Sequence, residues 1–98
     1  MFIVIYLFIV KQGQEDVFIN AWSEVTLSYR DHCGSLGSRL NKKTVNEFIA
    51  YAQWPSRESW EKSQDRGPVN EEASALMAEA VEKSFDPIPL KPVRDLLG

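Results

Sequence analysis

The sequence predicts an α+β domain of the ferredoxin-like, split βαβ kind, with an antiparallel sheet that carries its helices on one face. Three observations lead there. Positions 2–10, "FIVIYLFIV", are apolar at odd and even places alike, so a strand here needs cover on both faces. The order of patterns over the 98 residues is strand, helix, strand, strand, helix pair, strand, which is the split βαβ order. Helices can cover only one side of such a sheet, yet Ile49 and Tyr51 leave the other side apolar. A second copy of the chain is the simplest cover, giving a homodimer through the sheet face.

The elements follow in order. Positions 2–10 are β-branched or aromatic apart from Leu7, and Gly13 closes the run, as expected of a strand. Glu15 and Asp16 sit where a helix start favours anions, and Phe18, Ala21, Trp22, Val25 and Tyr29 recur at helical spacing to about Arg30. Gly34 can cap that helix in the left-handed conformation. Residues 35–40 and 45–54 form a hairpin across the polar "NKKT" turn. In its second strand Phe48, Ala50, Ala52 and Trp54 share one face, and Ile49, Tyr51 and Gln53 the other. Pro55 ends the strand and Ser56 is a good N-cap for a helix over 57–64. Asn70 can cap a second helix with an Ala73, Leu76, Met77, Ala80, Val81 stripe that ends near Ser84. Residues 86–98 hold Pro87, Pro89 and Pro92, so the tail is an edge strand or an extended arm.

Composition narrows the function. The chain is long enough for one domain. Eleven basic residues against fourteen acidic ones give a net charge of −3, and the cations form no stripe, which argues against nucleic acid as a partner. The apolar N-terminal run is too short for a spanning helix of about 20 residues and has no cation before it, so neither a membrane span nor a signal peptide is expected. Cys33 is the single cysteine and His32 the single histidine. They allow no internal disulfide and no tetrahedral zinc set, and a reducing cytoplasm fits best. No metal and no cofactor is expected.

The stretch "AYAQWPSRESW", 50–60, raises the question of a site. Ala50, Ala52 and Trp54 lie on one strand face, and the helix after Ser56 brings Trp60 back over the sheet. Small residues ringed by Trp22, Trp54 and Trp60 describe a pocket. Ordinary packing of tryptophan against alanine is the competing reading.

The order of elements, and above all Tyr51-Ala52-Gln53-Trp54 followed by Ser56, Trp60 and "RESWEKS", resembles the antibiotic biosynthesis monooxygenase family. The resemblance spans about residues 3–85. It implies a dimeric α+β barrel with a cavity between each sheet and its helices. It also implies oxygenation of small aromatic or quinol substrates without metal or flavin. In the polyketide-modifying members the residue matching Trp54 lines the cavity, as does an aromatic matching Trp60. This chain departs from them at Ala50, where they carry asparagine, and near Ser74, where they carry an arginine concerned with proton handling. The haem-degrading branch needs an asparagine on the first strand and a histidine on a later helix. "NEEASALMAEAVEKS" has no histidine, so that branch is rejected.

His32 is the candidate catalytic residue, because imidazole is the side chain suited to proton exchange at physiological pH and can take a phenolic proton; a solvated histidine at a helix end is the plainer reading. The candidate pocket comprises Tyr6, Trp22, Arg39, Ala50, Ala52, Trp54, Trp60 and Met77. Arg39 offers an anion-binding guanidinium or a charge facing water, Tyr6 a hydroxyl for a ligand or plain buried area, and Met77 a core position or a cavity wall. His32 beside Cys33 makes a poor nucleophilic pair, since adjacent side chains point apart. "GSLGS" has the wrong order of elements for a phosphate loop. Two functions stay open: a cofactor-independent monooxygenase acting on a small aromatic or quinol substrate, as the resemblance implies, or a non-catalytic dimeric domain that binds a small ligand or is structural.

Overall fold

The computed structural model describes residues 1–97. Strand β1 (Phe2–Val10) leads into helix α1 (Glu15–Cys33), the hairpin β2 (Gly37–Lys42) and β3 (Glu47–Trp54), helices α2 (Arg57–Arg66) and α3 (Glu71–Ala80), and two short strands, β4 (Val81–Ser84) and β5 (Ile88–Leu90). All pairings are antiparallel, in the order β2-β3-β1-β4, with β5 also on β1. The most apolar strands, β1 and β3, are therefore central, as the sequence predicts. No helix among the described residues is long and apolar enough to cross a membrane.

Local signals set the helix ends. Gly34 caps α1 at φ 77° and its N–H bonds to the Tyr29 carbonyl, a conformation that any Cβ would strain. Ser56 and Ser59 form a reciprocal capping box at the start of α2, with the Ser59 N–H donating to Ser56 Oγ at 3.2 Å. Ser56→Ala should lower stability by about 1 kcal/mol, read as a shift in urea midpoint at unchanged slope.

Strand β3 starts two residues later than expected and α2 ends two residues later, and three further elements depart from expectation. Helix α1 runs three residues past Arg30 because Gly34 provides its stop. Strand β2 starts at Gly37 and ends at Lys42, two residues later than expected. The last helix stops at Ala80 instead of near Ser84, and Val81–Ser84 is a strand. Glu82 and Lys83 tolerate a helix, but here Lys11 N–H binds the Ala80 carbonyl at 2.9 Å and Val81 lies opposite Val10. Tertiary pairing overrides local propensity there.

Register divides the sheet into two faces. Phe2, Val4, Tyr6 and Phe8 of β1 lie opposite Trp54, Ala52, Ala50 and Phe48 of β3 and look toward the helices. Two apolar clusters fill that layer. One joins Phe2, Val4, Ala52 and Trp54, and the other joins Val10, Phe18, Phe48 and Ala80. On the opposite face Ile3, Ile5, Leu7 and Ile9 lie across from Gln53, Tyr51, Ile49 and Glu47, and no helix covers them.

Candidate functional site

A cavity of about 220 Å³ lies in the layer between sheet and helices, walled by members of both apolar clusters. Tyr6 and Phe8 come from β1, Ala52 and Trp54 from β3, and Ser38 from β2, while Ser35 precedes that strand. Helix α1 supplies Trp22, Val25, Thr26 and Tyr29, spaced to share one helix face; α2 adds Gln64 and α3 adds Ser74 and Met77. Period-two alternation on the strands and helical spacing on α1 thus converge on one volume.

The structure brings Tyr6, Trp22, Ala52, Trp54 and Met77 of the sequence-derived set together at this cavity. Ala50 is fully buried beneath it, with Tyr6 and Leu40 as cross-strand neighbours, and does not line it. Trp60 stands behind the wall. Its indole Nε1–H donates to Tyr6 Oη at 2.9 Å and its ring packs 5.9 Å from that of Phe2. Arg39 does not belong to the cavity. It lies opposite Tyr51 on the other sheet face, where both border a separate polar hollow, because the alternation that turns Ser38 and Leu40 inward turns Arg39 outward. His32 does not belong to it either, being exposed in the last turn of α1.

The pocket expected from sequence left out Phe8, Val25, Thr26, Tyr29, Ser35, Ser38, Gln64 and Ser74. Thr26 and Tyr29 were recoverable, since they stand four and seven residues beyond Trp22 on the same helix face.

Polar groups are few. Trp54 is 3% exposed and its indole N–H has no hydrogen-bond partner among the described residues. Ser38 Oγ donates to the Tyr51 carbonyl at 3.0 Å, and Ser35 Oγ accepts from the Gly37 N–H at 3.1 Å. Burial pushes the Tyr6 hydroxyl above its ordinary 10.0; the bond from Trp60 opposes that shift and Tyr29 adds to it. Burial also raises Tyr29, with Cys33 adding and Arg66 opposing. No lysine, arginine or histidine is among the lining residues. The wall therefore offers neutral hydroxyls, an amide and an indole N–H to an occupant.

Both tyrosines hold their protons more tightly in the folded chain than in the unfolded one. The resulting stability is complete below about pH 10, where unfolded tyrosines are still protonated, and is lost as pH rises through the higher folded values. Urea midpoints measured from about pH 8 to 11 should fall with pH, and less steeply in Tyr6→Phe.

No protein-family model matches the chain, and no curated protein does. Solved structures do. SnoaB, a cofactor-independent oxygenase from Streptomyces nogalater, aligns at TM-score 0.79 and 13% identity, over 97% of this chain and 95% of that one. Rv0793 from Mycobacterium tuberculosis aligns at TM-score 0.76 and 14% identity, over 98% of each chain. A structure described as an antibiotic biosynthesis monooxygenase aligns at TM-score 0.75 and 16% identity, over 96% of this chain and all of that one. These identities speak for the fold. From end to end the chain has the fold of the antibiotic biosynthesis monooxygenases.

Proposed function

We propose that the protein is a cofactor-independent monooxygenase that holds a small aromatic or quinol substrate in the cavity behind Trp54. The observation that carries this reading is the cavity itself, an aromatic-walled space between sheet and helices in a fold shared with an oxygenase of that kind. A phenol enters the cavity neutral, gives its proton to water and passes an electron to dioxygen; the radical pair combines at a ring carbon that bears hydrogen, and the peroxide anion takes a proton back to become a hydroperoxide. Loss of water from that hydroperoxide leaves a carbonyl. One oxygen atom enters the product and the other leaves as water, with all electrons supplied by the substrate. The walls hold the ring and exclude bulk water.

With no lining group that titrates near neutrality, proton loss belongs to the substrate and to water. The pH profile of turnover should therefore follow the substrate's own pKa, and His32→Ala should leave it in place. Dioxygen uptake by metal-free protein, with a panel of hydroquinones and polycyclic phenols corrected for autoxidation, tests the reading. Saturable uptake that is lost in Trp54→Ala supports it. No uptake above background sinks it.

The second reading, a binding domain without turnover, draws on two positions. Ser74 lines the cavity where the resemblance implies an arginine, and Ala50 is buried where it implies an asparagine. In either case the working unit is a homodimer through the open sheet face, supported by half-buried Leu7, Ile49 and Tyr51 on it. The free thiol of Cys33 fits a reducing cytoplasm.

A further inference from the structure

We propose that Tyr6 is the specificity-determining hydrogen-bond donor of the cavity, and that Trp60 fixes it in that role, so that the site selects ligands that enter neutral and present an oxygen able to accept a hydrogen bond, such as a carbonyl or a phenol. The inference rests on the cavity being the ligand site and says what it prefers. An indole nitrogen only donates, whereas a phenolic oxygen both donates and accepts. The 2.9 Å bond from Trp60 Nε1 to Tyr6 Oη therefore has one possible direction. It occupies a lone pair of the oxygen and leaves the Tyr6 proton to find an acceptor elsewhere.

None of the described residues accepts that proton, although Tyr6 lines the cavity. The bond from Trp60 also polarises the hydroxyl and makes its proton a better donor. Burial keeps the group protonated over the working pH range. An occupant that accepts one hydrogen bond meets this need, and a hydrocarbon does not. A carboxylate or phosphate is disfavoured by the same wall, which has no cation to offset its desolvation.

A matched pair of probes separates the donor from the cavity. 1-Tetralone and tetralin have nearly the same shape and differ by one carbonyl. Their dissociation constants can be read by calorimetry with wild type, Tyr6→Phe, and Tyr6→Phe/Trp60→Phe, the last leaving no stranded indole N–H. Wild type should favour the ketone about tenfold, the effect of one neutral hydrogen bond. Both variants should lose that preference, read as the ratio of the ketone and tetralin dissociation constants within each variant. A ketone preference that survives in either variant overturns the assignment of Tyr6, as does equal binding of the two probes by wild type. Failure of wild type to bind either probe removes the cavity as the ligand site, and this inference with it.

Discussion

Trp54→Ala should destabilise the protein by about 3–5 kcal/mol and abolish saturable ligand binding, whereas Trp54→Phe should cost far less stability. The ring is 3% exposed and meets Tyr29 edge-on at 6.3 Å, and its strand neighbour Ala52 is too small to fill the space left behind. Truncation to alanine therefore loses the transfer energy of the ring and merges its volume with a cavity already present. Phenylalanine keeps most of the packing and removes the unpartnered N–H, whose burial costs about 1–3 kcal/mol in its own right. Urea midpoints of the two variants beside wild type decide the point. A Trp54→Phe loss as large as that of Trp54→Ala would show that the indole N–H is satisfied in solution, most simply by a bound molecule.

The second large effect concerns the open face of the sheet. Leu7 and Ile49 are direct cross-strand partners there, and cross-strand pairs carry much of what a sheet face contributes. Leu7→Glu/Ile49→Glu should convert the proposed homodimer into a single chain of 11.2 kDa by light scattering. Its melting temperature should also lose the concentration dependence expected of a dimer. Two like charges facing each other across the strands would also face the partner's copies, at low dielectric. A wild type that scatters as a monomer at about 10 µM, a concentration at which a standard-sized interface of nanomolar affinity is saturated, removes the proposed assembly.

Much of this architecture is legible in the sequence because it rests on period and punctuation. The apolar run of β1, the Phe48-Ala50-Ala52-Trp54 alternation and the caps at Gly34, Ser56 and Asn70 are local signals, and each reappears in the fold. The site is less legible because it depends on register, which is not local. Arg39 and Ser38 are neighbours on one strand, and a shift of one residue exchanges which of them meets the cavity. Ala50 and Ala52 look equivalent in the sequence; pairing puts Ala50 under Tyr6 and Leu40 and leaves Ala52 at the wall. His32 drew attention by its chemistry, and its place was decided by the length of α1. The strand Val81–Ser84 was hidden because Glu82 and Lys83 are at home in a helix, and only the free edge of β1 makes them extended.

The two short strands laid along that edge limit how the molecule can stick to itself. Continuous backbone pairing of one sheet with the next, copy after copy, requires two open edges on every molecule. At one side β4 and β5 span only four and three residues, and Pro89 within β5 has no N–H to offer. The other side, β2, is the only edge of six residues among the described residues. Two chains joined there would each have spent their usable edge, so backbone pairing by itself cannot extend one sheet beyond two chains.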